Sequence, residues 1–161
     1  MKVFIGQSFS ENDKQLVDSI VSFLAKKEII CGSGEPAQNK PISVKVKEGI
    51  DGCDLFIGIF TKRERVQTSA LDCIQFNKSK MKYSTSSWVI QESGYALGKG
   101  RPVLLLVENG IHNFPGLQGD EEVIYFDKSS MSDLKLKLTE MLEGHRFKGF
   151  VSKPEPEQMA F

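Results

Sequence analysis

Several common catalytic and cofactor motifs are missing from this 161-residue chain. Gly32-Ser33-Gly34 is not followed by the third glycine and helix of a dinucleotide fingerprint, and no GxxxxGK[ST] phosphate loop occurs. No GxSxG nucleophile elbow is present, and both histidines, His112 and His145, lie late in the chain among polar residues. A Rossmann dehydrogenase, a P-loop NTPase and a serine hydrolase are therefore disfavoured.

The chain also has few cysteines and no surplus of one charge. Its three cysteines are widely spaced, without a CxxC pair or a Cys/His cluster, so we expect no metal site. Twenty-one basic residues balance twenty-one acidic ones, which leaves no electrostatic footprint for direct nucleic-acid binding. No signal peptide and no membrane-spanning run is evident, so we expect a cytoplasmic protein without membrane association.

What the sequence does contain is a series of short apolar runs separated by helical patterns. The apolar runs predict strands over 3–5, 28–31, 54–61, 101–107 and 123–126. Apolar residues at helical spacing predict helices over 12–26, 43–53, 88–97 and 134–142, and a short helix around 69–76. This alternation predicts an α/β fold, a flavodoxin-like doubly wound five-stranded parallel sheet of order 2-1-3-4-5 flanked by helices.

The predicted domain spans 1–148. The segment 149–161 carries two prolines and several charges, and we interpret it as a disordered tail or a linker. In a doubly wound sheet, ligands bind at the carboxyl ends of the strands near the switch point between the first and third strands. That rule places 7–10 and 61–65 at the mouth of a pocket.

Trp88 and Glu92 form the most informative pair in the chain. A spacing of four puts an indole and a carboxylate one turn apart on one face of a helix. Most helical glutamates are solvated or paired in salt bridges, and a lone tryptophan is usually part of a core. Spacing alone therefore does not make this pair a site.

The ordered segments resemble Toll/interleukin-1 receptor (TIR) domains of the bacterial NAD-cleaving type. The resemblance rests on the opening stretch 2–13, the strands at 54–61 and 102–107, and Ser87-Trp88-Val89-Ile90-Gln91-Glu92, which is similar to the Ser-Trp-x-x-x-Glu segment of the enzymatic members. It covers residues 1 to 145. Gly6-Gln7 and Gln91 depart from the residues that many members carry there.

The resemblance implies an NAD+ glycohydrolase or ADP-ribosyl cyclase that releases nicotinamide and forms ADP-ribose or a cyclic isomer. NAD+ would be its substrate, and no separate cofactor is expected. Glu92 would be the catalytic residue, a carboxylate that stabilises an oxocarbenium-like ribose. The implied substrate-binding residues are Trp88, Ser8, Phe9, Ser10, Ser87 and Thr61.

The resemblance also implies partners and leaves alternatives open. It implies bacterial antiphage immunity, self-association through TIR–TIR contacts of the loop 32–41, and a sensor domain or a defence-system partner. The first alternative is a non-enzymatic TIR–TIR signalling and assembly module. A further alternative is a nucleoside deoxyribosyltransferase-like enzyme, which shares the topology and a glutamate-centred glycosidic mechanism.

Overall fold

A computed structural model describes residues 1–34, 41–67, 81–112 and 122–144. The strands are β1 (Lys2–Gly6), β2 (Ile30–Gly32), β3 (Leu55–Phe60), β4 (Arg65–Val66), β5 (Lys82–Tyr83), β6 (Val103–Glu108) and β7 (Glu122–Phe126). The helices are α1 (Lys14–Lys26), preceded by a 3-10 turn at Glu11–Asp13, then α2 (Ile42–Asp51), α3 (Ser87–Gly98) and α4 (Met131–Glu143). The predicted helix at 69–76, most of the loop 32–41 and the tail 149–161 lie outside these residues.

Five of the strands form one parallel sheet in the order β2-β1-β3-β6-β7. Because β6 and β7 are the fourth and fifth predicted strands, the predicted flavodoxin-like order 2-1-3-4-5 is confirmed. The strands β4 and β5 pair separately and antiparallel, in a polar stretch where no strand was predicted. All residues of the central strands β3 and β6 are buried, in agreement with sequences that are apolar apart from Glu108 at the end of β6.

The sheet is covered on both faces by helices. Helices α1 and α4 pack on one face, together with Ile5 and Ile57. Helices α2 and α3 pack on the other face, together with Phe4 and Phe56. None of the helices in the described ranges is both long and apolar enough to cross a membrane.

Strands β1 and β3 carry the same tripeptide, Phe-Ile-Gly, in register. Phe4 pairs with Phe56, and Gly6 pairs with Gly58 at the carboxyl end of β1. The two phenylalanine rings stack with centroids 6.1 Å apart. Since side chains alternate along a strand, both glycines lie on the same face as these rings. The paired glycines leave a shallow notch in the sheet surface beneath α3.

Helix α3 approaches the sheet closely at this notch. Its buried residues include Val89, Ser93 and Ala96, which follow one helix face and are small or compact. A Cβ atom on Gly58 would lie only 3.2 Å from Ser93 Oγ. The notch therefore sets how closely α3 packs on the sheet. It also positions Glu92, which directly precedes Ser93.

Candidate functional site

A small cavity lies between α2 and α3 and contains the predicted catalytic pair. Its volume is about 200 Å³, which is below the range of roughly 300–1,000 Å³ that is usual for ligand pockets. The lining residues are Ser43, Val46 and Lys47 from α2 and Trp88, Gln91, Glu92 and Tyr95 from α3. The four residues of α3 follow helical spacing, which is why one helix presents both aromatic rings and the carboxylate to the same space.

Glu92 is buried against the first strand. Only 5% of its surface is exposed. A Cβ atom added to Gly6 would lie 2.7 Å from Glu92 Oε2 and 2.5 Å from Phe56 Cζ. Only glycine fits at the end of β1 while Glu92 keeps this position. The carboxylate is thus placed at the carboxyl end of β1, beside the switch point where ligands bind in such sheets.

The protonation of Glu92 reflects its surroundings. Burial raises its pKa from 4.5 to about 7, and the nearby Trp88 indole N–H offsets this only in part. The indole and the carboxyl group are close but do not meet in hydrogen-bond geometry. Within the part of the chain that the structure describes, neither Trp88 Nε1 nor Glu92 Oε2 has a hydrogen-bond partner. A buried carboxylate left in this state is costly, which marks it as a candidate for function.

A second buried carboxylate, Asp13, lies just before α1. Its Oδ2 accepts hydrogen bonds from Ser8 Oγ at 2.9 Å and from Thr61 Oγ1 at 2.7 Å. The guanidinium of Arg63 donates to the same oxygen at 2.7 Å, and Lys128 Nζ donates to Oδ1 at 2.8 Å. Residues that follow β1, β3 and β7 are therefore held together at the carboxyl edge of the sheet. We call these five residues the Asp13 cluster.

The Asp13 cluster continues to Glu108 at the end of β6. Lys128 Nζ lies 3.8 Å from Glu108 Oε2, and the backbone N–H of Lys62 donates to the same oxygen at 2.8 Å. Burial alone would raise the pKa of Asp13, but the hydrogen bonds from Lys128, Thr61 and Ser8 and the charge of Lys128 outweigh it and lower the pKa. Both oxygens of Asp13 are hydrogen-bonded within the chain. This carboxylate therefore stabilises the fold by joining the ends of three strands.

The structure does not bring the predicted site residues together in one place. Glu92 and Trp88 line the cavity, whereas Ser8 and Thr61 donate to Asp13. Phe9 and Ser10 lie along a shallow depression at the start of α1, and 51% of the Phe9 surface is exposed. Contact of the substrate with any of these residues stays a prediction.

Ser87 is the exposed first residue of α3 and is not among the residues that line the cavity. Its predicted contact with the substrate likewise stays a prediction. Among the described residues, no group of three or more histidine, cysteine or acidic side chains is arranged to hold a metal ion.

Five residues that line the cavity were not predicted as site residues: Ser43, Val46, Lys47, Gln91 and Tyr95. Gly6, which lies against Glu92, was not predicted either. Tyr95 follows Glu92 by three positions, so helical spacing is a signal that could have placed it on the same face. Val46 and Lys47 come from α2, and only the tertiary packing of α2 on α3 brings them to the cavity. Gly6 had a detectable signal, because the same Phe-Ile-Gly tripeptide occurs in both of the strands beside the switch point.

Comparison with known proteins supports the fold. The chain matches no family model, and no curated protein is significantly similar to it. The CMP N-glycosidase BcmB of Clostridium botulinum is similar in structure, with a TM-score of 0.57 and 19% identity over 86% of this chain and 98% of that chain. The 2-deoxyribosyltransferase of Bacillus psychrosaccharolyticus matches with a TM-score of 0.50 and 16% identity, over 84% and 90% of the two chains.

These similarities contradict the assignment to TIR domains. The structural neighbours are enzymes named for N-glycosidic and deoxyribosyl chemistry on nucleosides or nucleotides. The predictions of NAD cleavage, antiphage immunity and TIR–TIR assembly all depended on this resemblance, and they are withdrawn with it. The sequence signals were misleading for a physical reason. A first strand followed by a serine-rich turn, and a helix that carries a glutamate to the sheet edge, describe positions in this fold that different families can share.

Proposed function

We propose that this chain is an enzyme that cleaves the N-glycosidic bond of a nucleoside or nucleotide, with Glu92 as the catalytic carboxylate. The observation that carries the proposal is the buried Glu92, whose Oε2 has no hydrogen-bond partner among the described residues, beside a cavity with aromatic walls. The names of the two structural neighbours, a CMP N-glycosidase and a 2-deoxyribosyltransferase, support the same class of reaction.

The reaction centres on C1′ of the sugar. As the bond from C1′ to the base nitrogen breaks, its electron pair stays with the base and positive charge develops on the sugar. An ionised Glu92 stabilises this charge, either as an ion pair or by forming an ester bond to C1′. Water then adds its hydroxyl group to C1′. Where an ester bond to Glu92 has formed, it breaks in this step and the carboxylate is regenerated. The remaining proton of the water balances the one taken up by the departing base.

The cavity favours a mechanism with one carboxylate. Among the described residues that line it, Glu92 is the single acidic side chain. An inverting mechanism uses two carboxyl groups, one as acid and one as base, on opposite sides of the sugar. A single carboxylate fits an ester or ion-pair intermediate better. The proposed reaction needs no cofactor.

The aromatic residues provide the walls of the proposed site. The Trp88 ring is half-buried, and Tyr95 lies one turn beyond Glu92. Flat rings can stack on a nucleobase and limit the access of water to the reacting carbon. If a second base enters before water does, the sugar is transferred rather than released. Hydrolysis and base exchange are therefore two outcomes of the same first step.

Base release from a panel of nucleosides and their 5′-monophosphates tests the proposal. Chromatography of the products separates free base, free sugar and, with a second base present, an exchanged nucleoside. We expect turnover by the wild-type chain and a loss of about a thousandfold or more in Glu92→Gln. Glu140→Gln on α4, an exposed position of identical chemistry, is the matched control and should keep the wild-type rate.

Two results would overturn the proposal. Absence of base release from every member of the panel would remove the enzymatic function. Equal turnover by Glu92→Gln and wild type would leave an enzyme but remove the role assigned to Glu92.

A further inference from the structure

Two residues that line the cavity each carry a buried polar atom without a partner, and the two atoms are chemically complementary. In the described ranges, four buried side-chain atoms lack a hydrogen-bond partner, and two of them, Trp88 Nε1 and Glu92 Oε2, belong to residues that line this one cavity. The indole nitrogen can only donate a hydrogen bond, and an ionised carboxylate oxygen can only accept one. Leaving both unpaired in a buried place costs free energy.

We propose that Trp88 Nε1–H and Glu92 Oε2 together bind the 2′-hydroxyl of a ribose, so that the site takes ribonucleosides or ribonucleotides in preference to their 2′-deoxy forms. This inference rests on the proposed function. A hydroxyl group is the smallest ligand group that accepts from the indole and donates to the carboxylate at once. A carbonyl oxygen would leave Glu92 unsatisfied, and an ammonium group would leave Trp88 unsatisfied.

The position of the hydroxyl follows from the reaction. One oxygen of Glu92 has to face C1′, where charge develops. The 2′-hydroxyl is on the adjacent carbon, so it is the sugar group nearest to the other carboxylate oxygen. Gly6 lies directly against Oε2 and limits how far that oxygen can turn away. The pair of orphaned atoms is thus placed where a ribose presents its 2′-hydroxyl.

The proposed preference for ribose opposes the intrinsic reactivity of the two kinds of substrate. The 2′-hydroxyl withdraws electrons and destabilises positive charge at C1′, so 2′-deoxy compounds lose their bases more readily in water. A preference for ribose has to come from the protein. Sites that hydrogen-bond a substrate hydroxyl discriminate strongly against analogues that lack it, because buried polar groups are then left without partners.

Matched pairs of ribo- and 2′-deoxyribo-substrates test the inference. The pairs share each base, as nucleosides and as 5′-monophosphates, and kcat/KM for base release is measured for both members. For the best pair we expect the ribose form to be faster by about a hundredfold or more. Trp88→Phe keeps an aromatic wall but removes the N–H, and it should lower this ratio about tenfold.

Each outcome distinguishes the two proposals. Base release from no substrate defeats the proposed function itself. Base release with equal or faster turnover of the 2′-deoxy forms leaves the proposed function and overturns the ribose preference. An equal loss on both sugars in Trp88→Phe would make Trp88 a positioning residue for Glu92 and also overturn the shared contact. Tyr83→Phe removes an aromatic hydroxyl outside the cavity and should leave the ratio unchanged.

Discussion

Two buried carboxylates at the carboxyl edge of one sheet have opposite surroundings. Asp13 accepts four hydrogen bonds, two of them from cationic side chains, and its pKa is lowered. Glu92 is buried to a similar degree, its Oε2 accepts none, and its pKa is raised to about 7. Burial alone therefore does not identify a functional acid.

The contrast separates a structural role from a chemical one. A carboxylate whose bonds are all filled by its own chain stabilises the fold and has nothing left for a ligand. An unpartnered carboxylate costs stability, and that cost is reasonable only where a ligand supplies what the protein lacks. On this view the Asp13 cluster ties the strand ends together, and Glu92 is kept available.

The largest effect on stability is expected from Asp13→Asn. The change leaves Arg63 and Lys128 without their shared anion, and both are partly exposed, which limits the penalty. We expect the free energy of unfolding to fall by about 3 kcal/mol near pH 7. Urea unfolding monitored by circular dichroism measures it.

The pH dependence sharpens this test. Because the folded pKa of Asp13 lies below its usual 3.8, its stabilising contribution is present above that pH and is lost as the pH falls through the folded value. The difference between wild type and Asp13→Asn should therefore shrink in acid. A difference that stays constant down to pH 2 would contradict the ionic nature of the cluster.

Glu92→Gln should act in the opposite direction. The folded chain holds the proton of Glu92 more tightly than the unfolded chain does, so stability is highest below pH 4.5 and is lost as the pH rises through about 7. Full ionisation costs about 3 kcal/mol by the size of this shift. A buried amide retains part of that cost, so we expect the variant to be more stable by about 2 kcal/mol at pH 8 and by little at pH 4. Thermal unfolding at both pH values checks the sign, and a loss of stability at pH 8 would contradict it.

The paired glycines offer a variant that moves the carboxylate without changing it. Gly6→Ala and Gly58→Ala both crowd Phe56, and each should lower the free energy of unfolding by about 1–3 kcal/mol. Gly6→Ala meets Glu92 Oε2 directly, whereas Gly58→Ala reaches α3 only at the flexible Ser93 hydroxyl. Gly6→Ala should therefore lose far more base release, about a hundredfold, at a temperature where both variants are folded. Equal activity in the two variants would show that the close contact between Gly6 and Glu92 does not position Glu92.

The sheet could be predicted from sequence, but the arrangement of the two carboxylates could not. Uninterrupted apolar runs in β3 and β6 identify central strands, and helical spacing places Trp88 and Glu92 on one face. The Asp13 cluster joins Asp13 to Thr61 and Lys128, which are 48 and 115 positions away in the chain. No local pattern encodes such contacts, so Ser8 and Thr61 were predicted to contact substrate rather than Asp13. The assignment to TIR domains was wrong for a related reason. The order of the strands and the spacing of residues along α3 identify a fold, whereas the cavity is also lined by residues of α2.

The smallest expected effect is the pH dependence of turnover. Glu92 has to be ionised to stabilise charge at C1′, so kcat/KM should rise with pH through about 7, by about tenfold between pH 6 and pH 8. Rates of base release across this range check it. A profile that is flat from pH 5 to pH 8 would contradict an essential carboxylate with a raised pKa.

The most direct measurement is a carbon NMR titration that resolves the side-chain carboxyl groups of Glu92 and Asp13 in the same sample, with Glu92→Gln and Asp13→Asn for assignment. We expect Glu92 to titrate near pH 7 and Asp13 to titrate below pH 3.8. If Glu92 instead titrates near 4.5, it is either solvated or partnered, and the distinction between an available carboxylate and a structural one is contradicted.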